Sequence, residues 1–186
     1  MKNRRTEEKI AIFSAFIAAG LFTIRFIIFF LPHSLQAGVA DGTVPGFLLA
    51  VGEHIFMLPV IWKLRAPRWA KVCGALWVLN DIITDTLALS GVSATVFLTE
   101  RYLGHLVFAA PWFFAAGWFA LQKRIRWFGW LTGFFLAFYT ILFILFNASG
   151  ILLLPVAIFL PLWLFFVGFW LKESQVVRDQ KMQEVV

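Results

Sequence analysis

Six apolar stretches, each about as long as a membrane is thick, alternate with short clusters of charge along this chain. They run roughly over residues 10–32, 44–62, 72–90, 102–122, 127–147 and 150–171. About 20 residues of helix cross about 30 Å of hydrocarbon, so each stretch matches one crossing. Composition agrees: 61% of the 186 residues are hydrophobic and 14% are charged, with mean hydropathy +0.86. A soluble domain carries about a quarter charged residues, and one of this length has no interior large enough for so much apolar surface. The predicted fold is an all-α integral membrane protein, a bundle of six transmembrane helices forming one domain over residues 1–186. The first stretch reads as a span rather than a cleaved leader, because no small-x-small site follows its apolar part.

Orientation follows from Lys and Arg near the span ends. With the N-terminus in the cytoplasm, fourteen of the sixteen basic residues fall on that side, in both tails and in loops 63–71 and 123–126. Only Arg25 and Arg101 do not. The opposite orientation exports nearly every positive charge, so both termini are expected to be cytoplasmic, in a bacterial or archaeal plasma membrane. The +6 net charge therefore belongs to topology, and no nucleic-acid partner is implied. Trp62, Trp69, Trp118, Trp127, Trp130 and Trp170 sit beside inner-face basic residues, as an aromatic belt requires, while Trp77, Trp112 and Trp163 lie deeper. Asn147-Ala148-Ser149 reads as a turn, and Gly129-x-x-x-Gly133 as packing within one chain.

Ionisable residues inside spans are costly and mark function by default. Counting about 1.5 Å per residue from the inner basic groups puts Glu53, His54 and Asp81 at about 14–15 Å. The same count puts Asp85 at about 21 Å, Arg25 at about 24 Å and His105 at about 27 Å, with Glu100 and Arg101 at the outer boundary. Asp81 and Asp85 are i, i+4 on one face of the third span, with Asn80 beside them. That span does not insert favourably alone. Its eight Leu, Ile and Val give roughly −2.4 to −4.8 kcal/mol, against about +5 to +7 for two aspartates. Arg25, His54 and His105 are the basic candidates to offset this, and an Arg25–Asp85 ion pair is expected.

The inner half is nearly free of such groups, which describes a polar cavity open to the outer side and sealed inside by Phe and Trp. Asp81, Glu53 and His54 are the candidate acid–base residues. Asp85, His105, Arg25, Asn80 and Trp112 are the candidate ligand-binding residues. No metal site and no cofactor are assigned. A haem between His54 and His105 is set aside because their counted depths differ by about 12 Å. A retinal Schiff base is excluded because every Lys lies in an inner loop or tail, and one Arg in a span is not a voltage sensor. The single Cys73 gives no disulfide.

Three readings of the same residues follow. In the first, the cavity binds or converts a lipophilic or amphipathic small molecule by acid–base chemistry, with some of the 23 Phe and 9 Trp lining it. In the second, Asp, Glu and His relay protons or cations across the membrane. In the third, the chain is an accessory subunit whose polar residues meet a partner subunit or a second copy. A transporter opens to both sides, and the scarcity of inner polar residues favours the first reading. Whether the protein is an enzyme is left open.

Overall fold

The computed structural model describes the backbone of residues 2–31, 42–147 and 149–183, and all the regular structure among them is helical. Six helical rods follow the six apolar stretches. They are α1 (Lys2–Phe30), α2 (Val44–Lys63), α3 (Arg68–Leu89), α4, α5 (Lys123–Phe146) and α6 (Leu154–Gln183), the last entered through a 3-10 turn at Gly150–Leu153. Rod α4 consists of Ala94–Gly104, a π-helical turn His105–Ala109 and Ala110–Trp118. Five of the rods carry an uninterrupted helix long and apolar enough to cross a membrane; the π turn breaks the sixth, α4.

Rod α4 also corrects a boundary. The fourth crossing was expected over 102–122, but the helix runs from Ala94 to Trp118. The Glu100-Arg101 pair looked like the end of a span. Instead Arg101 turns inward and is buried, so the chain winds two turns of helix before it. At the other end the chain leaves the helix after Trp118, where the Phe119 and Ala120 N–H groups close a turn on the Ala115 and Gly117 carbonyls. The π turn has a local cause. Pro111 has no N–H to donate, and the ladder re-registers by one residue, Ala110 N–H bonding to the His105 carbonyl.

Each rod packs on its neighbour in sequence, and α6 closes on α1, so the six form a ring. Connections of a few residues make sequential neighbours antiparallel. One end of the ring therefore carries the 64–67 and 119–122 connections, the start of α1 and the end of α6; this is the basic end. The opposite, distal end carries the 90–93 and 147–149 connections. At the basic end Lys63 pairs with buried Glu8 at 3.3 Å, and Lys71 Nζ donates to the Trp62 carbonyl. At the distal end the left-handed Asn147 (φ 49°) ends α5, and the Ser149 hydroxyl accepts from Ile151 N–H; the turn reading of this triplet holds for both, Ala148 lying outside the described residues.

The ring is filled unequally. Toward the basic end Met57, Ile61, Trp112, Phe113, Ile125, Trp163 and Leu164 are fully buried, with the Phe113 ring 5.1 Å from Trp163 and 5.3 Å from Trp77. Helix α1 presents Ala11, Ala15, Ala18, Ala19 and Phe22 inward at helical spacing, letting its backbone approach closely. Gly129 and Gly133 face Phe113, Gly117 and Ala110 of α4, so this glycine pair packs within the chain. Trp62, Trp69, Trp118 and Trp127 project outward at the basic end, each half exposed or more.

Candidate functional site

Asp81 is the hub of the distal half. It lies on the inward face of α3, one turn after Trp77 and one turn before Asp85, and α2 and α4 flank it. His54 Nε2 from α2 stands 2.7 Å from Asp81 Oδ2, and His105 Nε2 from α4 stands 2.9 Å from the same oxygen. The Trp77 indole N–H, from the preceding turn, donates to that oxygen at 2.8 Å. Three consecutive helices thus converge on one atom.

A second set of contacts lies beside this hub. Arg25 of α1 pairs with Glu53 of α2 and, at 3.2 Å, with Asp85 Oδ1. Arg101 of α4 pairs with that same Asp85 oxygen, and its Nε–H donates to the Thr84 hydroxyl at 3.2 Å. Thr84 in turn donates to the Asp81 carbonyl at 2.9 Å. Glu53, His54, Asp81, Asp85 and Arg101 are all buried. Charges so deeply placed are retained only when paired, and here the pairing stitches α1 to α4.

The geometry fixes one proton. His54 Nδ1 lies 2.8 Å from the Ala50 carbonyl, an acceptor only, so this nitrogen carries a hydrogen. At the other side of the ring, Nε2 faces a carboxylate oxygen at 2.7 Å, a contact that repels unless a proton lies between the two. A proton between His54 and Asp81 accounts for this close contact, although Nε2 is out of line for a regular hydrogen bond. His105 Nε2 meets Asp81, while its Nδ1 has no hydrogen-bond partner among the described residues.

Above the aromatic plug, these residues open on a cavity of about 610 Å³. Its polar wall is Arg25, Glu53, His54, Asp81, Arg101 and His105, together with Tyr102. The rest is apolar, with Phe22, Phe26, Phe29 and Phe30 of α1 facing Leu98, Leu136, Val156 and Leu160. Every lining residue belongs to the distal half or the middle of its helix, and Ser149 and Gly150 of the distal connection stand at the rim.

Of the residues singled out in the sequence, Asp81, Glu53, His54, His105 and Arg25 line this cavity. Asp85 stands behind its wall, holding both arginines, and the expected Arg25–Asp85 pair is present. Two residues lie elsewhere. Asn80 is directed to the α3–α4 contact, where its amide donates to the Glu100 carbonyl at 3.4 Å beside Gly104. Trp112 is fully enclosed in the plug, against Gly74 and Ile61. The counted separation of His54 and His105 is also corrected, since both rings reach one oxygen. The count for His105 began at Lys123 and gave rise to four residues, 119–122, that are not helical; from Trp118 it falls to about 20 Å. The point midway between the two imidazoles is occupied by Asp81 Oδ2 itself, and among the described residues no group of His, Cys, Asp or Glu is arranged to hold a metal ion.

Arg101, Trp77 and Tyr102 are functional neighbours that depth counting missed. Helical spacing carried the signal: Arg101 is four residues before His105, and Trp77 is four before Asp81. Comparison with protein-family models, with curated proteins and with solved structures finds no match to this chain.

Proposed function

We propose that this is a multi-pass membrane protein, with both termini cytoplasmic and the distal cavity facing outward, that binds or converts a lipophilic or amphipathic small molecule by acid–base chemistry. One observation carries the reading: a cavity with apolar walls converges on the buried 2.7 Å contact between His54 Nε2 and Asp81 Oδ2. A volume of about 610 Å³ falls within the 300–1,000 Å³ typical of small-molecule pockets. Pockets of that kind combine mostly apolar walls with few, fixed polar groups. The proton at His54–Asp81 is placed to be given to, or taken from, a polar end that reaches the wall, and Trp77 and His105 fix the orientation of the carboxylate. Relay across the membrane is disfavoured by the fully buried Trp112, Phe113 and Trp163, which stand between the cluster and the basic end among the described residues.

Protein purified from its native membrane should carry a bound amphipathic molecule visible by native mass spectrometry. Leu136→Phe, which extends a ring into the cavity, should lower its occupancy. Equal occupancy in both proteins would place the molecule on the lipid-facing surface and contradict the reading. Orientation is tested separately with single cysteines in a Cys73→Ser background. Of the two loops, Ala66 lies at the basic end and Ser93, exposed, at the distal end; Ala40, in the first distal connection, is outside the described residues. An impermeant reagent added to sealed cells should label Ser93→Cys and spare Ala66→Cys. The reverse pattern would turn the cavity toward the cytoplasm.

A further inference from the structure

The ion pairs around the cavity are matched, and the polar atoms left over include two carboxylate oxygens. Among the described residues, the charged groups on the wall or paired to it are Glu53, Asp81 and Asp85 on one side and Arg25 and Arg101 on the other. A proton between His54 and Asp81 supplies a third positive charge. The ion pairs of the network are therefore matched as they stand. An ionic headgroup entering it introduces a net charge into a low-dielectric interior, where an unpaired ion is expensive.

Glu53 Oε2, Asp81 Oδ1 and His105 Nδ1, with His54 Nε2 at its 2.7 Å contact to Asp81, each belong to a cavity-lining residue and make no regular hydrogen bond among the described residues. The donors on the wall are already committed: Trp77 N–H and His105 Nε2 to Asp81, and the Arg25 and Arg101 guanidiniums to carboxylates. Buried acceptors without partners are costly and are met by groups that bring hydrogens. Resting on the ligand-binding reading above, we propose that the polar end of the molecule is an uncharged hydroxyl: the site takes a long-chain alcohol rather than a fatty acid, a lipid phosphate or an amine. The hydroxyl donates to a carboxylate oxygen beside His54, and the chain lies along Phe22, Phe26 and Leu136.

The test uses the whole protein in nanodiscs and saturable binding of tritiated hexadecanol. Competitors share the chain and differ in the end group: hexadecanol, hexadecanesulfonate (always anionic) and hexadecylamine (cationic). Hexadecanol should compete at concentrations at least about tenfold lower than either ion, the preference expected when a single extra charge must be buried. Glu53→Gln removes one negative charge from the wall, so its preference for hexadecanol over the sulfonate should shrink, while the preference over the amine persists. If the sulfonate or the amine competes as well as hexadecanol in the wild-type protein, the uncharged-head inference fails and the ligand-binding reading stands. If none of the three, each offered in tritiated form, shows saturable binding, the ligand-binding reading itself fails.

Discussion

Asp85→Asn should destabilise the fold by about 3–5 kcal/mol, the usual cost of breaking a buried ion pair from one side. Asp85 Oδ1 receives both Arg25 and Arg101, so the substitution leaves two guanidiniums facing an amide. Adding Arg101→Met should restore much of the loss, because the uncompensated charge leaves with its partner. Unfolding measured by steric trapping in bicelles for the two singles and the double gives the coupling directly. A double variant as unstable as the sum of the singles would show that the pair is not coupled.

Asp81→Asn should behave in the opposite way: folded, but functionally silent. Removing the aspartate charge also removes the reason for His54 to hold a second proton, so charge and proton leave together. The asparagine carbonyl, in the place of Oδ2, can still accept from Trp77 and His105, while His54 Nε2, which met that same oxygen, loses its partner. The thermal transition should therefore fall by less than in Asp85→Asn, whereas ligand turnover or binding should fall about tenfold or more and lose its dependence on pH over roughly pH 5 to 9. The groups facing that proton, Glu53, Arg25, Asp85, Arg101 and His105, all remain in this variant. A wild-type pH profile in Asp81→Asn would identify the cluster as structural glue. Glu53→Gln is not equivalent. It leaves Arg25 sharing Asp85 with Arg101, and it should cost more stability than Asp81→Asn does.

Much of this architecture is legible in the chain because the lengths of its apolar runs dominate it. The lengths of apolar runs between basic clusters gave five of the six rods to within a few residues, apart from the polar turns of α1 and α6 that extend past the apolar runs. The Asp81–Asp85 face also followed from i, i+4 spacing. What depth counting could not supply was the behaviour of α4. Arg101 reads as a boundary residue if charge is assumed to seek water, yet a buried carboxylate is an equally good partner. The π turn and the 119–122 turn both break the assumption of a uniform 1.5 Å rise. Those local departures carry His105 to the height of His54. The enclosed positions of Trp112 and Asn80 were hidden for a different reason: an aromatic ring or amide in a span has the same sequence appearance whether it lines a cavity or packs against a glycine.

The most direct measurement is photo-crosslinking in nanodiscs with a sixteen-carbon amphipath carrying a mid-chain diazirine, offered with a hydroxyl, sulfonate or amine end. Adducts located by peptide mass spectrometry should fall on cavity residues such as Phe22, Phe26, Leu98 and Leu136, and an excess of the same unlabelled chain should abolish them. Labelling confined to outward-facing residues such as Phe13, Phe138 and Leu145, undiminished by competitor, would mean that the molecule meets this protein only as bulk lipid and would contradict a ligand site in the cavity.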